Sequence, residues 1–139
     1  MKKTAVRVLH LVFPSAPNKV ETWNELHRLV YDDDSEVKQI IAEVIGSVFP
    51  YIPEEKKAWE DLHHLVLEDS VNIKRSAADS LGSIFPYASE KKQIWTIIVN
   101  LMSHCDSIVK ENARRSFDST LNYVVENDKL FQSFHKIFM

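Results

Sequence analysis

Gly46-Ser47-Val48-Phe49-Pro50-Tyr51 is written again, with one residue changed, as Gly82-Ser83-Ile84-Phe85-Pro86-Tyr87, 36 residues further on. A fixed period of that length is the mark of stacked structural repeats. Shifting the chain by 36 extends the match far beyond these six residues. Trp23, Trp59 and Trp95 fall in one column with Phe131. Leu26, Leu62, Ile98 and Phe134 share a second column, and Leu29, Leu65, Leu101 and Ile137 a third. Val37, Ile73 and Val109 coincide, each followed by a lysine, Lys38, Lys74 and Lys110. Phe13-Pro14 joins the Phe-Pro column, so residues 1–17 read as half a repeat and not as a secretory leader, whose apolar stretch Arg7 and His10 would interrupt.

Each unit reads as two helices. In the second, Pro53 suits a first turn, where its missing N–H costs nothing. Trp59, Leu62 and Val66 then fall three and four apart, one apolar stripe. Asp34, Ser70 and Asp106 stand where N-caps are wanted before a second stripe. Pro50 and Pro86 stop that second helix, because a residue before proline avoids the helical region. The expected elements are B0 (2–13), A1 (19–31), B1 (35–49), A2 (54–67), B2 (71–85), A3 (90–103), B3 (107–122) and A4 (128–138). They divide residues 1–139 into one domain: a half repeat 1–17, repeats 18–53, 54–89 and 90–125, and a half repeat 126–139. The repeated Phe-Pro-Tyr is then a turn, with Tyr51, Tyr87 and Tyr123 leading into the next helix A.

The stretch DDDSEVKQIIAEVIG (32–46), repeated as EDSVNIKRSAADSLG (68–82), resembles HEAT-like repeats of the phycobilin-lyase type. The shared features are an acidic turn, a branched apolar residue, a basic residue, paired small residues and an apolar-Gly end. The resemblance implies an all-α fold, a right-handed α-solenoid of about eight helices, with A helices outside and B helices lining a concave face. Proteins of this kind include scaffolds, bilin lyase subunits, a hydroxylase and some DNA glycosylases. The third repeat departs from the pattern, with Arg114 and Asp118 in place of a small residue and the glycine. The hydroxylase-type iron site uses His-Glu dipeptides, and none occurs here. A tetratricopeptide reading fails on period and on His63 after Trp59-x-x-Leu62. Pumilio-type RNA reading lacks a consistent stacking triplet on helix B.

The bulk numbers narrow the function classes. The chain has 139 residues, 45% of them hydrophobic, which fits one folded domain. A formal charge of −3 lacks the basic footprint of a general nucleic-acid binder. Cys105 is the single cysteine, which suits a reducing cytoplasm and builds neither a disulfide framework nor a multi-cysteine zinc site. No stretch has the ~18 apolar residues of a membrane span.

His27, His63 and His135 share a column, but rings one repeat apart stand about 10 Å from each other, too far for one ion. They read as core-edge residues, with the tryptophans as core. His64 and Glu68 form an i,i+4 pair with no further ligand beside it, and His104-Cys105-Asp106 reads as loop plus cap. Lys38, Lys74 and Lys110 are expected to pair with acids of the preceding turns, Asp33, Asp69 and Asp106. No catalytic constellation, cofactor or metal set emerges.

The candidate binding surface is the face of helix B opposite its apolar stripe. It comprises Lys3, Arg7, Glu36, Gln39, Glu43, Asn72, Arg75, Asp79, Glu111, Asn112 and Arg115. Its charges balance, four of each sign, which suits a protein or peptide partner read by mixed charge. The expectation is a non-catalytic scaffold. Two other readings stand behind it: nucleic-acid binding through a patch of Lys2, Lys3, Arg7 and Lys38, and a subunit of a lyase-type enzyme complex. Phe131, Phe134 and Phe138 form a candidate end interface, through which a monomer could associate weakly with a second copy. The polar pair Arg114 and Asp118 reads as a cap on the helix-B row.

Overall fold

The structure is a computed structural model that describes Thr4, Val6, Arg7, Val8, Leu11 and residues 13–127. Lys3, the helix expected at 128–138 and the end interface of Phe131, Phe134 and Phe138 lie outside the described residues. Within them the chain is all-helical, with no strand. Six helices follow in order: α1 (Lys19–Val30), α2 (Ser35–Val48), α3 (Glu55–Val66), α4 (Val71–Ile84), α5 (Lys91–Leu101) and α6 (Ser107–Glu126). Thr4, Val6, Arg7, Val8 and Leu11 are helical as well.

The starts and stops follow local chemistry. Asp34, Ser70 and Asp106 accept hydrogen bonds from the backbone N–H groups of Glu36, Ile73 and Val109, so all three expected caps form. Asn18 does the same for Glu21 at 3.1 Å. The Phe-Pro pairs end in single 3-10 turns, Phe13–Ser15, Phe49–Tyr51 and Phe85–Tyr87. Each is closed by a backbone bond to the phenylalanine carbonyl, from Ala16, Ile52 and Ala88. Helix α6 breaks the rule and runs on to Glu126, four residues past the expected end. Asn122 stands where Pro50 and Pro86 stand, so nothing removes the N–H the helix needs. Tyr123 is therefore not a turn residue. It lies within α6 with its ring edge-on to Phe85 at 5.7 Å.

The pairs α1–α2, α3–α4 and α5–α6 pack locally, but the broadest contacts are α2 on α4 and α4 on α6. Trp23, Leu26, Leu62, Ile98 and the phenylalanines Phe13, Phe49 and Phe85 are fully or almost fully buried between them. The seams between α2, α4 and α6 are built twice from the same parts. Ser80 Oγ donates to the Ala42 carbonyl at 2.7 Å, and Ser116 Oγ donates to the Ala78 carbonyl at 2.7 Å. A Cβ on Gly46 would sit 2.5 Å from Ser80 Oγ and 2.7 Å from its Cβ. A Cβ on Gly82 would meet Ser116 Oγ at 2.7 Å and Cα at 2.9 Å. The glycines let two helix backbones approach, and the approach brings a serine hydroxyl to a buried carbonyl that already serves its own helix.

Two opposed magnitudes decide what a methyl group does here. Alanine gains about 1 kcal/mol over glycine in a helix interior. Overpacking a tight contact costs about 1–3 kcal/mol, and these contacts involve Cα and Cβ atoms that cannot rotate away. Gly46→Ala is therefore expected to lower stability in urea unfolding, and Gly46→Ala/Ser80→Gly to recover part of the loss. A Gly46→Ala protein more stable than the parent would contradict the seam.

Candidate functional site

The outward face of α2, α4 and α6 carries most of the residues singled out from sequence, and the structure sorts them into two groups. The first group is stitched together across the seam between α4 and α6. Arg75 makes a two-pronged ion pair with Asp106, Nε to Oδ2 at 3.0 Å and Nη2 to Oδ1 at 2.8 Å. Its Nη1 reaches Asn72 at 3.3 Å. Asn112 Nδ2 donates to the Arg75 carbonyl at 2.9 Å, and the Asn112 amide oxygen accepts from Arg115. Glu111 is occupied by Arg114 at 2.6 Å, and Arg114 also reaches Asp118 at 3.6 Å. That last pair is the polar combination expected at the outer flank of the third repeat. With both partners more than half exposed, it adds under about 1 kcal/mol.

The second group faces solvent. Arg7, Glu43, Asp79 and Arg115 are exposed, and Gln39 is half-buried. Arg7 and Glu43 line one open groove with Leu11, Ile40, Val44 and Ser47. Asp79 and Arg115 line a second with Gly82, Ser83, Ser116 and Ser119. Glu36 sits at the first turn of α2, its N–H held by Asp34 at 2.9 Å.

The lysine column behaves differently from expectation. Lys38 pairs with Glu68 at 2.7 Å and not with Asp33. Lys74 donates to the Val66 carbonyl at 2.7 Å and not to Asp69. Asp106 is taken by Arg75, not by Lys110. The reason is direction: Glu68 and Asp106 each lie in the loop before the next helix of the α2–α4–α6 row. They therefore tie a repeat to its successor.

His27 and His63, the members of the histidine column among the described residues, do not converge, and His135 lies outside them. His27 Nδ1 lies 2.6 Å from Oδ2 of Asp61, while His63 stacks flat on Trp59 at 5.2 Å. Among the described residues no group of three or more His, Cys, Asp or Glu side chains could hold a metal ion. Asp61 had no individual signal in the sequence, because Glu60 beside it is equally acidic and only one of the two can face inward. It is 2% exposed, lies between α1 and α3, and has the Tyr31 hydroxyl 3.5 Å from its other oxygen. Burial pushes its carboxyl above the usual range, against the opposing pull of His27 and Tyr31. Tyr31 also packs on His64 at 4.9 Å, extending the cluster along α3. The tryptophans are core, as expected, at 0, 3 and 4% exposure. Trp59 Nε1 donates to Gln93 at 3.0 Å. At the equivalent place one repeat earlier stands Lys57, which cannot accept, and Trp23 Nε1 has no hydrogen-bond partner among the described residues.

No family model matches the chain, and no curated protein matches it. No helix among the described residues is long and apolar enough to cross a membrane.

The Arg75–Asp106 pair is open to a pH test. The guanidinium first, and the Val109 N–H second, hold the Asp106 carboxyl well below its usual range. A depressed folded pKa stabilises above the unfolded value of about 3.9 and loses that contribution as pH falls through the folded value. Asp106→Asn keeps one acceptor oxygen for the N-cap and removes the charge together with one prong of the guanidinium pair. Its cost in urea unfolding should be full at neutral pH and shrink steadily as the buffer is taken below about pH 4. A cost independent of pH would assign the loss to the altered hydrogen bonds and not to the charge.

Proposed function

We propose that this chain is a non-catalytic binding scaffold, a right-handed α-solenoid of HEAT-like helix pairs whose α2–α4–α6 face forms a concave surface for a protein or peptide partner. The observation that carries the reading is the exact recurrence, at a 36-residue step, of the serine-to-carbonyl contact from α4 to α2 and from α6 to α4. Helices joined by one repeated contact form a row that grows by translation and rotation. Such rows present one long face, and here that face carries both signs of charge.

Mixed charge favours a polypeptide over a nucleic acid. Phosphate backbones need an excess of Lys and Arg, whereas Glu43 and Asp79 stand exposed at the middle of the row. The basic patch considered from sequence is also weakened at Lys38, which Glu68 neutralises at 2.7 Å.

The reading is tested with a photo-crosslinking residue at Ser83, on the α4 face, and at exposed Glu60 on α3 as a control. The whole chain is returned to an extract of its native host and irradiated. A defined, saturable polypeptide adduct from Ser83 and none from Glu60 is expected. Adducts from Glu60 alone, or with nucleic acid, would overturn the proposal.

A further inference from the structure

Several charged side chains on the α2–α4–α6 row have an opposite charge within the fold. Lys38 has Glu68, Arg75 has Asp106, and Arg114 has Glu111. Four do not. Arg7, Glu43, Asp79 and Arg115 are exposed and make no ion pair among the described residues. These four are one residue repeated: each is 36 positions from the next. They occupy the same place on successive helices, in the order plus, minus, minus, plus.

The neighbouring contacts fix that order in space. Arg7 and Glu43 share one groove, and Asp79 and Arg115 share another. Glu43 accepts from Ser76 of α4 at 3.2 Å, and Asp79 lies one turn along α4 from Ser76, so the two carboxylates flank the same seam. Ser47, Ser83 and Ser119, one turn further on, are exposed and small. They leave room beside the charges for a main chain, and their hydroxyls can bond to it.

We propose that this stripe reads an extended polypeptide segment whose charges run acid, base, base, acid across the four helices. Packed helices are spaced about 8–10 Å apart, and a segment in the polyproline II conformation advances about 3.1 Å per residue with three residues per turn, so that every third side chain lies on one face. Matching charges therefore recur every third residue, as Glu-x-x-Lys-x-x-Lys-x-x-Glu. The stripe is the same read from either end, so charge alone sets no chain direction. A nucleic acid would bring phosphates against Glu43 and Asp79, which the central acid pair disfavours. This inference rests on the protein-binding reading above and adds to it the charge code of the ligand.

The test uses two fluorescent peptides of identical composition and net charge, one Glu-x-x-Lys-x-x-Lys-x-x-Glu and one Lys-x-x-Glu-x-x-Glu-x-x-Lys, titrated with the full chain by anisotropy. Four matched pairs in the first peptide, against four like-charge contacts in the second, favour the first by about tenfold or more at low salt. The gap should narrow as salt rises. The variant R7E/E43K/D79K/R115E, checked for retained helicity, should reverse the preference. Equal affinities, binding of neither peptide, an unreversed preference, or tighter binding of a single-stranded oligonucleotide overturns the charge code. If Ser83 still crosslinks to a polypeptide while peptide order has no effect, the code alone falls. If Ser83 captures nothing either, the binding reading falls with it.

Discussion

Everything in the described fold depends on how closely α4 can approach α2, and α6 approach α4. Gly46 and Gly82 remove the one atom that would hold these backbones apart. Ser80 and Ser116 then place hydroxyls on the carbonyls of Ala42 and Ala78. A buried hydroxyl left unpaired costs about 1–3 kcal/mol, so each serine is stable in the seam only at the distance the glycine permits. Close approach and hydrogen bond are thus two halves of one constraint. It sets the spacing of the row, and the row sets where the exposed charges stand.

Around that constraint, the polar stitching runs forward from each repeat to the next. Lys38 reaches Glu68 and Arg75 reaches Asp106, partners 30 and 31 positions apart in the chain. Both carboxylates lie in loops, so the ion pairs fasten a loop of one unit to a helix of the preceding one. Asp61 does similar work by a different route, with a buried carboxylate bridging α3 to His27 of α1 and to Tyr31 at its C-terminal end. This stitching leaves Arg7, Glu43, Asp79 and Arg115, one column of the repeat, exposed and outside any ion pair among the described residues.

Much of this was legible in the sequence. The 36-residue period, the caps at Asp34, Ser70 and Asp106, the Phe-Pro turns and the tryptophan core follow from patterns local enough to read. The glycines at 46 and 82 recur at the repeat period, yet only the structure shows that Ser80 and Ser116 face them across the seams. The length of α6 was not read: the helix was expected to end at 122, although Asn122 stands in the column of Pro50 and Pro86. Partners of Lys38, Lys74 and Arg75 were not legible, since a side chain's reach across a repeat depends on rotamer and loop path. Nor was the sharing-out of the candidate face, where Arg75, Asn72 and Asn112 hold the fold together and Arg7, Glu43, Asp79 and Arg115 stay open.

The central claim is that α2, α4 and α6 form an open row and not a closed bundle. It is tested most directly by spin-label distances among Ser47, Ser83 and Ser119, taken in pairs in a Cys105→Ser background. Neighbouring helices about 8–10 Å apart should give similar short distances for the two adjacent pairs. The outer pair, Ser47 with Ser119, should then lie about twice as far apart. An outer distance no longer than the adjacent ones would mean that the helices close on one another, and would contradict the account.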